Sequence, residues 1–251
     1  MAKQAGIIKI KGTLDDLTFY KRGDAYILRE RGGIEKGRIA TDPAFQRTRE
    51  NMAEFTNVAS SAKLFRETFR SLFMNGADSA SGNRLTSQLF QVLKSDTTSL
   101  RGQRTVAAGD LTLMKGYEFN ALSSLRSVLY ATVSSSIDRT TGEVEVTVPA
   151  IVPADVIVAP LGATHYKFVS VAAEMDFAAD TFNQDMQSTA LNPLDSNAVL
   201  ATTLTHELTP NSTSPMFIVV AIQFSQEVNG VNYPLKNGAG NAITLLNVDV
   251  Q

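Results

Sequence analysis

The chain has two histidines, no cysteine and no tryptophan, and these few residues bound the chemistry it can do. His206 stands next to Glu207, the one place where an imidazole adjoins a carboxylate in sequence. A general acid–base pair or a metal site built from histidine would need His165 and His206 to converge with carboxylates. Each falls in a stretch that reads as a separate strand, so both are expected to be strand-surface or hydrogen-bonded core residues. Without cysteine there are no disulfides, thiolate metal ligands or thiol nucleophiles. The phosphate-binding loop, the serine elbow, the zinc-protease helix and the calcium loop are absent from the sequence. Gly238-Ala239-Gly240 lacks the third glycine and the helix of a dinucleotide fingerprint and reads as a turn. Glu143 and Glu145 are two apart on one strand face, which suits a solvated sheet surface. Arg22-Gly23-Asp24 spells an adhesion tripeptide but reads first as a hairpin turn. Asn211-Ser212-Thr213 is a formal glycosylation sequon. No catalytic residue, cofactor or metal is expected.

Cations are the remaining source of chemistry, and they are unevenly placed. Residues 1–105 hold 18 Lys+Arg against 11 Asp+Glu, net +7, whereas residues 106–251 hold 5 against 14, net −9. A chain so divided is suited to stack head to tail on its own copies, or to offer its basic end to a polyanion. Arg49, Lys63, Arg66 and Arg70 fall on one flank of a helical pattern, and Lys9, Lys11, Lys21, Arg22, Arg29 and Arg31 add to them. Such a ridge can follow phosphates by counterion release or meet the acidic half of a neighbour. The overall charge of −2 favours the neighbour, since a polyanion would be repelled by the acidic half.

The elements that must position these residues follow from periodicity. Residues 6–31 alternate as a small antiparallel meander, with Ile7, Ile8 and Ile10 as a first strand and Gly23 and Asp24 as a tight turn. Residues 32–40, rich in glycine, are expected to be a loop. Asp42 and Pro43 open a long helix, the aspartate as cap and the proline at the first position. From 45 to 73 the apolar residues, Phe55, Phe65 and Phe69 among them, recur at steps of three and four, giving a rod about 45 Å long. A second helix is expected over 83–94. Beyond 115 the texture turns to β, with candidate strands at 117–120, 127–133, 143–148, 156–158, 165–176, 198–207, 215–227, 231–235 and 242–248. Thr141 and Gly142, and Asn229 and Gly230, mark hairpin turns. The fold class expected is α+β: an N-terminal β-meander and long helices, then a C-terminal antiparallel β-sandwich of immunoglobulin or jelly-roll type. The domains expected are 1–110, basic, and 111–251, acidic.

The stretches Gly12-Thr13-Leu14-Asp15-Asp16-Leu17-Thr18-Phe19-Tyr20-Lys21 and Arg38-Ile39-Ala40-Thr41-Asp42-Pro43-Ala44-Phe45-Gln46-Arg47-Thr48-Arg49-Glu50-Asn51 resemble a family of uncharacterised proteins from Bacteroidota, flavobacteria above all. The resemblance extends to Gly162-Ala163-Thr164-His165 and Gln226-Glu227-Val228-Asn229-Gly230. It implies the same layout, a small β unit, helices and a β-rich C-terminal part, and it brings no activity, cofactor or catalytic residue.

Together these features predict a non-enzymatic structural protein that self-assembles into a filament, tube or shell. The expected contact residues are Ile7, Ile8, Ile10, Arg49, Phe55, Lys63, Phe65, Arg66, Phe69 and Arg70, with copies of the chain as partners. The alternative is a binding module, for nucleic acid through the ridge or for carbohydrate or a surface through the sandwich loops. No stretch of 18 apolar residues free of charge occurs, so no membrane span is expected. The N-terminus lacks the apolar region of a secretory signal, so synthesis in the cytoplasm is expected, with a final place there, outside the cell by another route, or in a phage-like particle.

Overall fold

The computed structural model describes residues 2–6, 8–30, 33–235 and 240–251. The chain divides into two compact units, Met1–Asn51 and Met52–Gln251.

The first unit is built on a four-stranded antiparallel sheet in the order β1-β4-β3-β2. Its strands are β1 (Ala2–Lys3), β2 (Gly12–Leu14), β3 (Leu17–Arg22) and β4 (Ala25–Glu30). Arg22 pairs with Ala25, leaving Gly23 and Asp24 as the turn, with Gly23 at φ +60° as a two-residue hairpin turn requires. Of the first strand expected at Ile7, Ile8 and Ile10, the described residues form none. Ile7 lies outside the described residues, and Ile8 and Ile10 belong to no strand. The Gln4 amide supplies what a ladder partner would have supplied: its Nε2 donates to the Ile10 carbonyl at 3.1 Å and its Oε1 accepts from the Ile10 amide at 2.9 Å. Ala2 and Lys3 pair with β4 instead.

The expected loop over 32–40 contains a helix, α1 (Lys36–Thr41). Arg49 holds its end, Nη1 donating to the carbonyls of Ile39 (2.7 Å) and Asp42 (2.9 Å), a charge-assisted C-terminal cap. A short 3₁₀ turn, Pro43–Phe45, follows, and there the Asp42 carboxylate accepts from the Ala44 amide at 2.9 Å with Pro43 in the first position. The cap read from the sequence is therefore present.

Three helices follow: α2 (Gln46–Thr68), α3 (Arg70–Gly76) and α4 (Ser81–Ser95). The single rod expected over 45–73 breaks at Phe69, whose φ and ψ are −103° and 22°. Thr68 just before it is fully buried and returns its hydroxyl to the Leu64 carbonyl at 2.8 Å, a bond that bends helices.

The second unit has three layers. Its central sheet runs along two long strands, β7 (His165–Asp176) and β11 (Met216–Val228), paired antiparallel from Met216↔Glu174 to Ser225↔His165. On the far side of β7 lie β8 (Thr181–Ser188) and β9 (Asn192–Pro193), and on the far side of β11 lie β12 (Val231–Pro234) and β13 (Ala242–Asp249). A separate three-stranded sheet has the order β10-β6-β5, from β5 (Ser134–Asp138), β6 (Glu143–Val148) and β10 (Thr202–Glu207).

Residue parity decides what covers the central sheet. Val169, Val171, Ala173, Met175, Phe217, Val219 and Ala221 share a core with Val58, Phe65, Phe69, Leu72, Leu85 and Leu89 of the helices. Phe168, Ala172, Met216, Ile218, Val220 and Ile222 share one with Val144, Val146, Val148 and Leu204 of the small sheet. Because alternate side chains face opposite sides of a strand, the helices lie on one face of the central sheet and the small sheet on the other. The chain is thus α+β with antiparallel sheets, and a helical layer covers the face of the central sheet that the small sheet leaves open. A domain boundary at 110 does not hold, because α2 to α4 and the sheet bury their apolar residues in one shared core; the division falls near residue 51.

Candidate assembly surfaces

His165 and His206 do not come together. His165 opens β7, with Nδ1 2.9 Å from Thr164 Oγ1 and Nε2 3.7 Å from Glu227 Oε2. His206 meets β7 five residues further on, at Ser170, about 16 Å along the strand. Its Nε2 is 2.7 Å from Ser170 Oγ, and Asp185 Oδ2 lies 3.5 Å from Nδ1, close enough to attract but outside good hydrogen-bond geometry. The Asp185 carboxylate favours the tautomer with its proton on Nδ1, which leaves Nε2 to accept the serine hydroxyl. Serine, histidine and aspartate in this order match a hydrolase triad in type. Ser170 and His206 are both fully buried between the central and the small sheet, so a substrate carbonyl has no approach to Oγ. The group is a core polar pair, and sequence spacing gave no sign that Ser170 and Asp185 would join His206.

Burial pulls the His206 pKa below the ordinary imidazole value, against the Asp185 carboxylate, which pushes it up. The unfolded chain therefore takes up this proton first as pH falls through about 6.5. The His206 contribution to stability is complete above that pH and declines below it. Urea unfolding between pH 7.5 and 5 should show a falling midpoint, and His206→Gln should flatten it. Asp78, held down to about 2 chiefly by its bond with Arg84, releases its contribution only in stronger acid, and Glu118, whose carboxyl burial pushes up, takes its proton first in the folded chain and so opposes the decline rather than causing it. An equally steep decline in the variant would remove His206 as the cause.

The ridge residues have separate fates. Phe65 and Phe69 are fully buried in the core shared by helices and sheet, so they cannot be contact residues. Their spacing marked an inward helix face, and the sheet of the same chain takes it. Phe55 is 56 % exposed beside Met52 at 57 %, and its ring centroid lies 6.0 Å from that of Phe90. Arg49 is spent on α1. Lys63 Nζ lies 3.7 Å from Glu67 Oε1. Arg66 and Arg70 are exposed, and among the described residues neither has a hydrogen-bond or ion-pair partner. With Lys63 they line a cleft of about 450 Å³ between α2, α3 and the start of α4, with Phe73, Leu85 and Phe119 among its apolar walls. Glu67 and Asp78 also line it, and Asp78 is paired with Arg84 at 2.7 Å.

The outer face of the small sheet has the opposite character. Strand registers align Asp138, Glu143 and Glu207 side by side across β5, β6 and β10, and place Glu145 in the next row. The other five positions of this three-by-three grid are serine or threonine. Among the described residues none of the four carboxylates pairs with a cation.

Among the described residues no helix is long and apolar enough to cross a membrane, and no cluster of histidine and carboxylates is arranged to hold a metal ion. No family model, no curated protein and no solved structure matches the chain.

Proposed function

We propose that this chain is a non-enzymatic structural protein that assembles with copies of itself, its N-terminal unit serving as a principal contact. The observation that carries the reading is that no described residue of the first unit is buried. Strand registers put Leu14, Leu17, Phe19, Tyr26 and Leu28 on one face of its sheet, bordered by Lys21 and Glu30, with Leu14 69 % exposed. A unit of about fifty residues rarely buries enough surface to stand alone, and a contiguous apolar face marks a surface that another chain covers. Ile8 and Ile10, 81 % and 51 % exposed, extend the apolar material. The unit holds 11 Lys+Arg against 7 Asp+Glu, so a copy whose residues 106–251 are strongly acidic is the complementary partner. The layered second unit would form the body of a filament, tube or shell.

Sedimentation velocity of the full chain over a hundredfold range of concentration tests this, with electron microscopy of any large species. Particles well above the 27.1 kDa protomer are expected, shrinking in high salt. Phe19→Asp with Leu28→Asp should abolish them while the second unit stays folded. A monomer at every concentration would end the proposal.

A further inference from the structure

The second unit is electrically polar across its layers. Its helical layer exposes Lys63, Arg66 and Arg70, a net positive group even with Glu67 beside Lys63, and its small sheet, on the opposite face of the central sheet, exposes the row Asp138, Glu143 and Glu207. Like charges directly opposite on neighbouring strands are destabilising, so this row is unfavourable until a cationic surface meets it. Two unpartnered guanidinium groups converging on one cleft have the matching need. Three strands set the acidic row about 10 Å long, and the ridge runs from Lys63 and Arg66, one turn apart on α2, to Arg70 at the start of α3, just past the break at Phe69.

We propose that the acidic row of one copy docks on the Lys63–Arg66–Arg70 ridge of the next. This contact rests on the self-assembly reading above and adds a direction to it. The two surfaces differ and face opposite ways, so the contact is heterologous, and repeating it adds copies in a line unless the rotation closes a ring. Rim charges set register and association rate more than affinity, and the apolar walls of the cleft, with Met74 69 % exposed beside them, supply area to bury.

The test exchanges charge between the two surfaces in the full chain. Glu143→Lys with Glu207→Lys makes the row basic, and Arg66→Glu with Arg70→Glu makes the ridge acidic. All four side chains are exposed, so both variants should unfold in urea like the wild type. Each alone should need at least about tenfold more protein to sediment as assemblies. An equimolar mixture should regain wild-type behaviour, because every ridge then meets a row of opposite sign. Variants that assemble like the wild type, or a mixture no better than its parts, would overturn the contact. Indifferent assembly together with loss of retention on double-stranded DNA in Arg66→Glu/Arg70→Glu alone would overturn it and reassign the ridge to a polyanion. A wild type that never assembles removes the self-assembly reading too, whereas an assembling wild type with indifferent variants removes only this contact.

Discussion

Phe65→Ala is expected to lower the stability of the second unit by about 4 kcal/mol, the largest effect of any single truncation considered. The Phe65 ring is fully buried and meets Phe217 edge-on at 4.9 Å, with Phe177 at 6.0 Å and Phe69 at 6.2 Å. It joins α2 to β11 and to the end of β7, so its loss opens a cavity where the helical layer is fastened to the sheet. The neighbours cannot close the gap, because Phe217 is fixed by the β11 ladder and Phe69 by the break between α2 and α3. Thermal unfolding should move down by roughly 10 °C for a unit of this size. Phe55→Ala is the control. That ring is 56 % exposed, and its truncation should change stability by less than about 1 kcal/mol. Equal effects at the two positions would mean that the helices are not fastened to the sheet through Phe65.

This contrast shows what could be read from the sequence and what could not. Steps of three and four located the helices, and the Asp42 cap with Pro43 located where the long one starts. The same pattern could not say which apolar side chains would meet this chain's own sheet and which would stay open. Phe55 and Phe65 lie ten residues apart on one periodic stripe, yet one is exposed and the other has no exposure. Distance from the sheet decides this, and periodicity carries no information about it. The longest strands were legible for the same reason they are central. A 12-residue run at His165–Asp176 and a 13-residue run at Met216–Val228 are apolar on both faces, as strands covered on both sides must be. That two-faced pattern also held the sign that helices would cover one side, a sign obscured by treating the β-rich half as a separate sandwich. Ser134–Asp138 and Thr181–Ser188 were not legible, because their residues are mostly polar and their pairing is set by a neighbour's ladder. Residues 127–133, apolar enough to suggest a strand, instead begin inside a short helical turn, Leu125–Val128, capped by Ser124.

The surfaces were legible only in part. The charge division between the two halves was visible as a count, and the structure turns it into a direction, with the helical layer basic and the outer face of the small sheet acidic. The row of Asp138, Glu143 and Glu207 could not be seen, since Glu207 lies 64 positions beyond Glu143 and reaches it only through the Val144↔His206 register. The buried partners of His206 were hidden likewise, because Ser170 and Asp185 come from two other strands.

Gly142→Ala should be the second large effect, about 3 kcal/mol, since it combines an unfavourable backbone conformation with a contact that cannot relax. Gly142 has φ +81°, and a Cβ there would lie 2.3 Å from the Leu208 carbonyl oxygen and 3.0 Å from the Pro210 nitrogen. Both obstacles are backbone, and the approach is fixed from both sides. The Gly142 amide donates to the Asp138 carbonyl, and the Leu208 amide donates to the Gly142 carbonyl, each at 2.8 Å. Gly116→Ala, in the same unit, isolates the conformational part, because Gly116 has φ +79° and nothing within 4 Å of where a Cβ would stand. That change should cost about 1 kcal/mol. Urea unfolding of the two variants separates the contributions, and a Gly142→Ala chain as stable as Gly116→Ala would show that Leu208 can move aside. The position matters beyond stability, because Gly142 lies in the turn joining β5 to β6, beside Asp138 and Glu143. An alanine that forces the turn open therefore shifts the strands that align the acidic row, and assembly should weaken before the unit unfolds.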